Sequence, residues 1–139
     1  MNEFLSILLG KPVDSSVIIQ GFIGNTSYTA GCNINAQSVY SVSTGTVLAV
    51  DRDPKDSTWC VTVEVDSKHW VRYCHLSGAT VLVGRKLDVY TFVGYAYKNT
   101  IRLEYCTSDK TQFPVRILNK QLYKTDPTPI IFGNGALVR

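Results

Sequence analysis

The sequence predicts an all-β domain, an antiparallel twisted sheet or a sandwich of two such sheets, with a short N-terminal helix and an extended C-terminal tail. Three observations predict it. Apolar and polar residues alternate with a period of two through the middle of the chain, and turn-forming Gly, Pro, Asp and Asn recur between the alternating runs. After residue 10 no stretch keeps apolar positions at helical spacing for more than two turns.

Taken in order, residues 1–12 give the helix. The apolar run Phe4 to Leu9 is interrupted by Ser6, preceded by Glu3 rather than a basic stretch, and stopped by Gly10-Lys11-Pro12. That is too short to span a bilayer and a poor export signal. A first strand is expected at Val17–Phe22. Another runs from Thr44 to Val50 and ends at the Asp51–Asp56 loop, rich in charge and carrying Pro54. Residues 58–76 read as a hairpin. Trp59, Val61, Val63 and Val65 share one face, Cys60, Thr62 and Glu64 the other, and Asp66-Ser-Lys-His69 makes the turn into Trp70–His75. Further strands are expected at Phe92–Tyr95, Thr100–Cys106 and near Val115–Leu118. Residues 126–139 form the tail, whose Ile130, Ile131 and Phe132 either cover their own sheet or pair with a neighbouring chain. The domain proper is thus residues 13–125.

Composition narrows the function. With 139 residues, 45% hydrophobic and 18% charged, the chain is one globular domain, too short for two and too apolar for disorder. Such a chain buries roughly two-thirds of its unfolded surface, so a core requires neither metal nor disulfide. The 14 basic residues exceed the 11 acidic ones by a net charge of +3. They are scattered, with Arg85-Lys86 the only adjacent pair, so neither nucleic acid nor a membrane surface is an expected partner. Cys32, Cys60, Cys74 and Cys106 form no CxxC. Buried free thiols are the expectation, with disulfides left open should the protein mature outside the cytosol.

Most site chemistries are excluded. No GxGxxG, GxxxxGKS/T or GxSxG occurs, which removes phosphate cradles and the nucleophile elbow. The histidines are two, His69 and His75. On a regular strand Cys74 and His75 would face opposite ways and form no dyad, whereas Tyr73 and His75 would share a face. The Asn25-Thr-Ser27 glycosylation pattern carries no weight without export.

His75 gains interest from its surroundings. Val17-Ile-Ile-Gln-Gly-Phe-Ile-Gly24 is followed by Tyr28-Thr-Ala-Gly-Cys-Asn-Ile-Asn-Ala36, then Val39-Tyr-Ser-Val-Ser-Thr-Gly-Thr-Val47. Next come Tyr73-Cys-His-Leu76, Val81-Leu-Val-Gly84 with Phe92-Val-Gly-Tyr95, Thr100-Ile-Arg-Leu-Glu-Tyr105 and Phe113-Pro-Val115. In this order and spacing the segments resemble the lysostaphin/LytM-type zinc endopeptidases of bacterial peptidoglycan, across residues 17–123. The resemblance implies the LytM-like (duplicated hybrid motif) form of the all-β fold. It aligns Tyr28–Ala36 with the family's His-x-Gly-x-Asp segment, Tyr73–Leu76 with Tyr-x-His-Leu, and Thr100–Tyr105 with His-Leu-His-Phe-Glu.

The departures weigh most. The positions that hold zinc in that family fall on Thr29, Asn33 and Arg102, and a catalytic histidine falls on Thr100; of the motif histidines, His75 alone remains. A hydroxyl and a neutral amide are poor zinc ligands, and a guanidinium has no lone pair to give. A unit charge about 4 Å from a divalent ion costs ~8 kcal/mol at an effective dielectric near 20. That offsets much of the ~10–16 kcal/mol a structural zinc site supplies. Without the metal no bound water is acidified. Cys32 beside the first motif could join His75 in an altered metal site, but two ligands would still be wanting.

The expectation is therefore no metal, no cofactor and no catalysis, with a groove lined by Thr29, Asn33, Tyr73, His75, Thr100, Arg102 and Glu104. In it Arg102 pairs with Glu104 or another carboxylate. The resemblance, the small single domain, the lack of an export signal and the apolar tail together suggest a structural or wall-binding component of a phage tail or baseplate. Its expected partners are other virion proteins, copies of itself through Ile130–Phe132, or the bacterial wall. The rival reading is an active zinc-dependent peptidoglycan endopeptidase with altered ligands.

Overall fold

Alternation along the central strands separates an apolar face from a polar one, and that separation organises the molecule. The computed structural model of the chain describes residues 19–23, 31–35, 37–88 and 91–125. Along them run β1 (Ile19–Ile23), β2 (Gly31–Asn35), β3 (Ser38–Tyr40), β4 (Gly45–Arg52), β5 (Trp59–Asp66) and β6 (His69–Ala79). Then follow β7 (Lys86–Leu87), β8 (Phe92–Ala96), β9 (Thr100–Thr107), β10 (Pro114–Ile117) and β11 (Lys120–Thr125). No helix occurs among the described residues. The helix expected at residues 1–12, Thr29, and the tail 126–139 with Ile130, Ile131 and Phe132 lie outside them.

The strands pair antiparallel throughout, in the order β1-β2-β9-β6-β5-β4-β7, with the β10–β11 hairpin joined to β9 and the β3–β8 pair joined to β6. β4, the β5–β6 hairpin, β8, β9 and β10 fall where alternation predicts strands. β2, β7 and β11 escape the sequence reading. β7 is two residues long, and Gly31-Cys-Asn-Ile-Asn35 and Lys120-Gln-Leu-Tyr-Lys-Thr125 are too polar to announce themselves.

On one face Ile34, Val61, Val63, Val71, Tyr73, Ile101 and Leu103 are sealed from solvent, together with Val39 and Val93 from the β3–β8 pair. β8 crosses β6 closely enough that a Cβ on Gly94 would stand 2.2 Å from the Gly78 carbonyl oxygen, so a larger residue there would force the strands apart. The opposite face carries a smaller apolar cluster of Trp70, Cys106, Ile117 and Leu122, with the Lys120 Nζ 4.5 Å from the centroid of the Trp70 ring.

β6 changes partner at His75. It pairs with β9 from His69 to Cys74 and with β8 from Leu76 to Ala79. Between the pairs Trp59–Leu76 and Val61–Tyr73, Cys60 alone faces the two residues Cys74 and His75, so the strand bulges. His75 takes φ 69°, and both Tyr73 and Leu76 point into the core. The expectation that Tyr73 and His75 share a face is thereby corrected: the extra residue resets the alternation.

The same pairing corrects the expectation for two cysteines. Cys60 and Cys74 form a disulfide with their Cα atoms 4.2 Å apart. Cys106 is a buried free thiol, and burial, reinforced by the nearby Glu104 charge, pushes its pKa up to about 12. Cys32 lies on β2, and its side chain is outside the described residues.

Candidate functional site: a charged cleft over Glu104

Strand β9 places Thr100, Arg102 and Glu104 on one face by simple alternation, opposite the core residues Ile101 and Leu103. Neighbouring strands add to that face by register. Arg102 lies opposite Asn33 on β2 and Cys74 on β6, Glu104 lies opposite Arg72 on β6, and Lys124 on β11 lies opposite Cys106. Above them the end of β4 contributes Asp51 and Arg52, and the loop after it Asp53 and Pro54, to a cleft of about 310 Å³ that also touches Cys60 and Val115.

The floor is an ion cluster. Glu104 is only 1% exposed, and its carboxylate accepts from the Arg72 guanidinium at 2.6 Å, from the Arg102 Nε at 2.7 Å and from the Lys124 ammonium at 3.0 Å. A carboxylate sealed from water requires such partners, and three cations around one acid are a charge-assisted network rather than a surface pair. Burial, with Arg72 and Arg102 adding, pulls the Lys124 ammonium below its ordinary pKa, while Glu104 opposes the shift. Gly31 makes room for this arrangement: a Cβ there would stand 2.8 Å from the Arg102 Cγ.

At the far end His75 is pinned by the bulge. Its Nδ1 donates to the Thr100 carbonyl oxygen at 2.5 Å, which leaves Nε2 as the acceptor in the neutral ring. The Tyr97 N–H donates to the His75 carbonyl at 2.9 Å, and the two rings meet edge to face at 5.3 Å. Asp56, on the loop above, has its carboxyl pKa lowered chiefly by two hydrogen bonds from Thr58, with smaller pulls from His75 and Arg102.

Of the residues expected in the groove, the structure brings Asn33, Thr100, Arg102 and Glu104 onto one face, with His75 hydrogen-bonded to Thr100. Tyr73 does not join them. It is fully buried on the core side, where its hydroxyl oxygen accepts from the Val42 N–H at 3.0 Å. The expected Arg102–Glu104 pair is present. Arg72, Lys124 and Asp56 went unread. An arginine two residues before Cys74 on an otherwise apolar strand, and a lysine two after Leu122, were the available signals.

The zinc site that the resemblance implies can be tested on these side chains. Arg102, at one ligand position, has no lone pair and gives its Nε to Glu104. Glu104, the carboxylate of the same strand, is already shared by three cations. Among the described residues no three His, Cys, Asp or Glu side chains converge in a group able to hold a metal ion. These residues do not fit zinc.

The backbone has known counterparts. It is similar to lysostaphin in solution, at TM-score 0.58 and 16% identity over 73% of this chain and 42% of that one. It is similar to a putative glycyl-glycine endopeptidase LytM from Ruminococcus gnavus, at TM-score 0.63 and 13% identity over 92% and 58% of the two chains. A third likeness is to the catalytic domain of a prophage-encoded M23 protein, EnpA, from Enterococcus faecalis, at TM-score 0.56 and 16% identity over 70% and 86%. The chain spans 42% of the lysostaphin chain and 35% of a zinc-containing peptidase from Vibrio cholerae. No family model matches the sequence, and no curated protein matches it significantly. At these identities the likeness establishes the fold: an antiparallel all-β domain of LytM type.

Proposed function

We propose that this domain is a catalytically inactive peptidoglycan-endopeptidase-like module that binds or scaffolds rather than cuts. One observation carries the reading: Arg102, which the sequence resemblance aligns with a metal-ligand position, is locked onto the buried Glu104 at 2.7 Å. A cation held there repels a second cation, and the carboxylate beneath is already neutralised. No metal-activated water forms in such a cleft. His75, with Nδ1 committed to the Thr100 carbonyl, serves as a strut for the β6 corner.

The setting we propose is a phage tail or baseplate, where the domain contacts other virion proteins or the bacterial wall and the apolar Ile130–Phe132 segment docks on a neighbour. The likeness to a domain of a prophage-encoded protein supports that setting. Deleting residues 127–139 is expected to abolish assembly and leave the isolated domain folded; loss of the fold would assign the tail to the core.

The test of inactivity is the metal content of the purified protein measured beside the turbidity of a cell-wall suspension. Absence of bound zinc and unchanged turbidity, with a melting temperature indifferent to a chelator, are expected. Stoichiometric zinc with lysis that a chelator stops would establish an active endopeptidase instead.

A further inference from the structure

We propose that the Cys60–Cys74 disulfide is a redox site reached through the cleft: a small dithiol reduces it in the folded protein and so frees the β6 corner that carries His75. This goes beyond the non-catalytic reading and does not depend on it.

Position carries the proposal. Cys60 lines the cleft of about 310 Å³, which is wide enough for a small reagent and too small for a protein. Cys60 is 5% exposed and Cys74 fully buried, so an incoming thiol meets the Cys60 sulfur first. The bond spans the bulge at which Cys60 faces both Cys74 and His75. It also adjoins the ion cluster. The Arg72 Nη2 donates to Cys60 Sγ at 3.7 Å while its Nη1 donates to Glu104. The Arg72 Nε is buried and has no hydrogen-bond partner among the described residues, so this guanidinium is held by its two ends, one of them on the sulfur. Cys106 stands apart from the exchange. It lies opposite Trp70, whereas Cys74 lies opposite Arg102, about 13 Å back along β9.

The exchange balances as a two-electron transfer. A thiolate of the dithiol attacks Cys60 Sγ, the Cys60–Cys74 bond breaks, and Cys74 leaves as a thiolate that takes up a proton. The reagent's second thiol then displaces Cys60, which closes the reagent into a cyclic disulfide and leaves two protein thiols. Cys60 is the leaving group in that second step, and the Arg72 guanidinium beside it stabilises the departing thiolate.

The consequence follows from packing. Unbonded sulfurs must part to van der Waals contact, and a close-packed site has to yield somewhere. Cys74 has no room of its own, being sealed between the buried Tyr73 and the pinned His75. Reduction therefore presses Cys60 on Arg72 and eases the bulge at His75. The pairs Trp59–Leu76 and Val61–Tyr73 on either side need no cross-link, so the fold is kept.

The test adds dithiothreitol to the whole native protein. Alkylation with peptide mass measurement follows Cys60 and Cys74, and NMR follows the His75 ring and the Arg72 Nε–H. Both cysteines are expected to become alkylated while the backbone spectrum keeps its dispersion. The His75 Nδ1–H is expected to exchange with solvent about tenfold faster once its corner opens. Oxidised dithiothreitol should restore the starting spectrum. The double variant Cys60→Ser, Cys74→Ser should reproduce the reduced spectrum, and Cys106→Ala should be reduced at the unaltered rate. Reduction that needs a denaturant, that unfolds the domain, or that leaves the His75 and Arg72 signals in place would overturn the proposal. So would a double variant unlike the reduced protein, or slowed reduction of Cys106→Ala.

Discussion

The two faces of strand β9 are built from alternate residues of one segment and do opposite things. Ile101 and Leu103 meet β6 and β2 partners that are themselves apolar, so any well-shaped hydrocarbon would serve there. Arg102 and Glu104, one residue away each, depend on particular atoms of Arg72 and Lys124, which arrive from β6 and β11. The core tolerates exchange of kind; the cleft tolerates almost none. A fold can thus keep its backbone while the chemistry of its polar face is rewritten, because the apolar face alone specifies register.

The largest expected effect breaks the cleft. Glu104→Gln leaves three cations facing one another with no carboxylate between them and should cost about 3–5 kcal/mol in denaturant unfolding. A loss below ~1 kcal/mol would show that solvent already screens the cluster. On the other face Leu103→Ala opens a cavity beside Tyr73 and should cost about 3 kcal/mol. A cost below ~1 kcal/mol would mean that the neighbouring side chains close the cavity.

Tyr73→Phe sharpens the comparison at smaller scale. It preserves the packing and leaves the buried Val42 N–H without its acceptor, for about 1–3 kcal/mol. A cost near zero would mean water reaches that amide.

A pH effect is expected from Cys106 and Lys124, which lie opposite each other on the same face as Glu104. With its thiol pushed up to about 12, Cys106 keeps its proton in the native state after the unfolded chain has lost it, from the ordinary value of 9.0 upward. Stability then falls as pH rises through that window, by at most about 1.4 kcal/mol per pH unit. Lys124 acts with the opposite sign, since its lowered pKa makes the native state release its proton first. Comparing the protein with Cys106→Ala isolates the thiol: the variant should lose less stability above pH 9. Identical slopes would place Cys106 in contact with water.

Much of the apolar face could be read from the sequence, and little of the polar one. Alternation in Trp59–Val65 and Thr100–Cys106 marks strands and their buried sides because burial acts on every second residue. Glu104 with Arg102 was visible as a pair on one strand. Arg72 and Lys124 were not, because their roles follow from strand pairing across 32 and 20 residues, distances over which local pattern carries no register. The His75 bulge was hidden for a related reason. Nothing in Tyr73-Cys-His-Leu76 announces that Cys60 will face two residues rather than one, so both the disulfide and the turning of Tyr73 into the core were missed.

The most direct measurement is anomalous diffraction at the zinc edge from crystals grown with excess zinc. With the Arg102–Glu104 pair in possession of the cleft, the map should be featureless between Asn33, His75 and Arg102, and the pair should stay closed. A strong peak there, coordinated by protein atoms with Arg102 swung away, would contradict it.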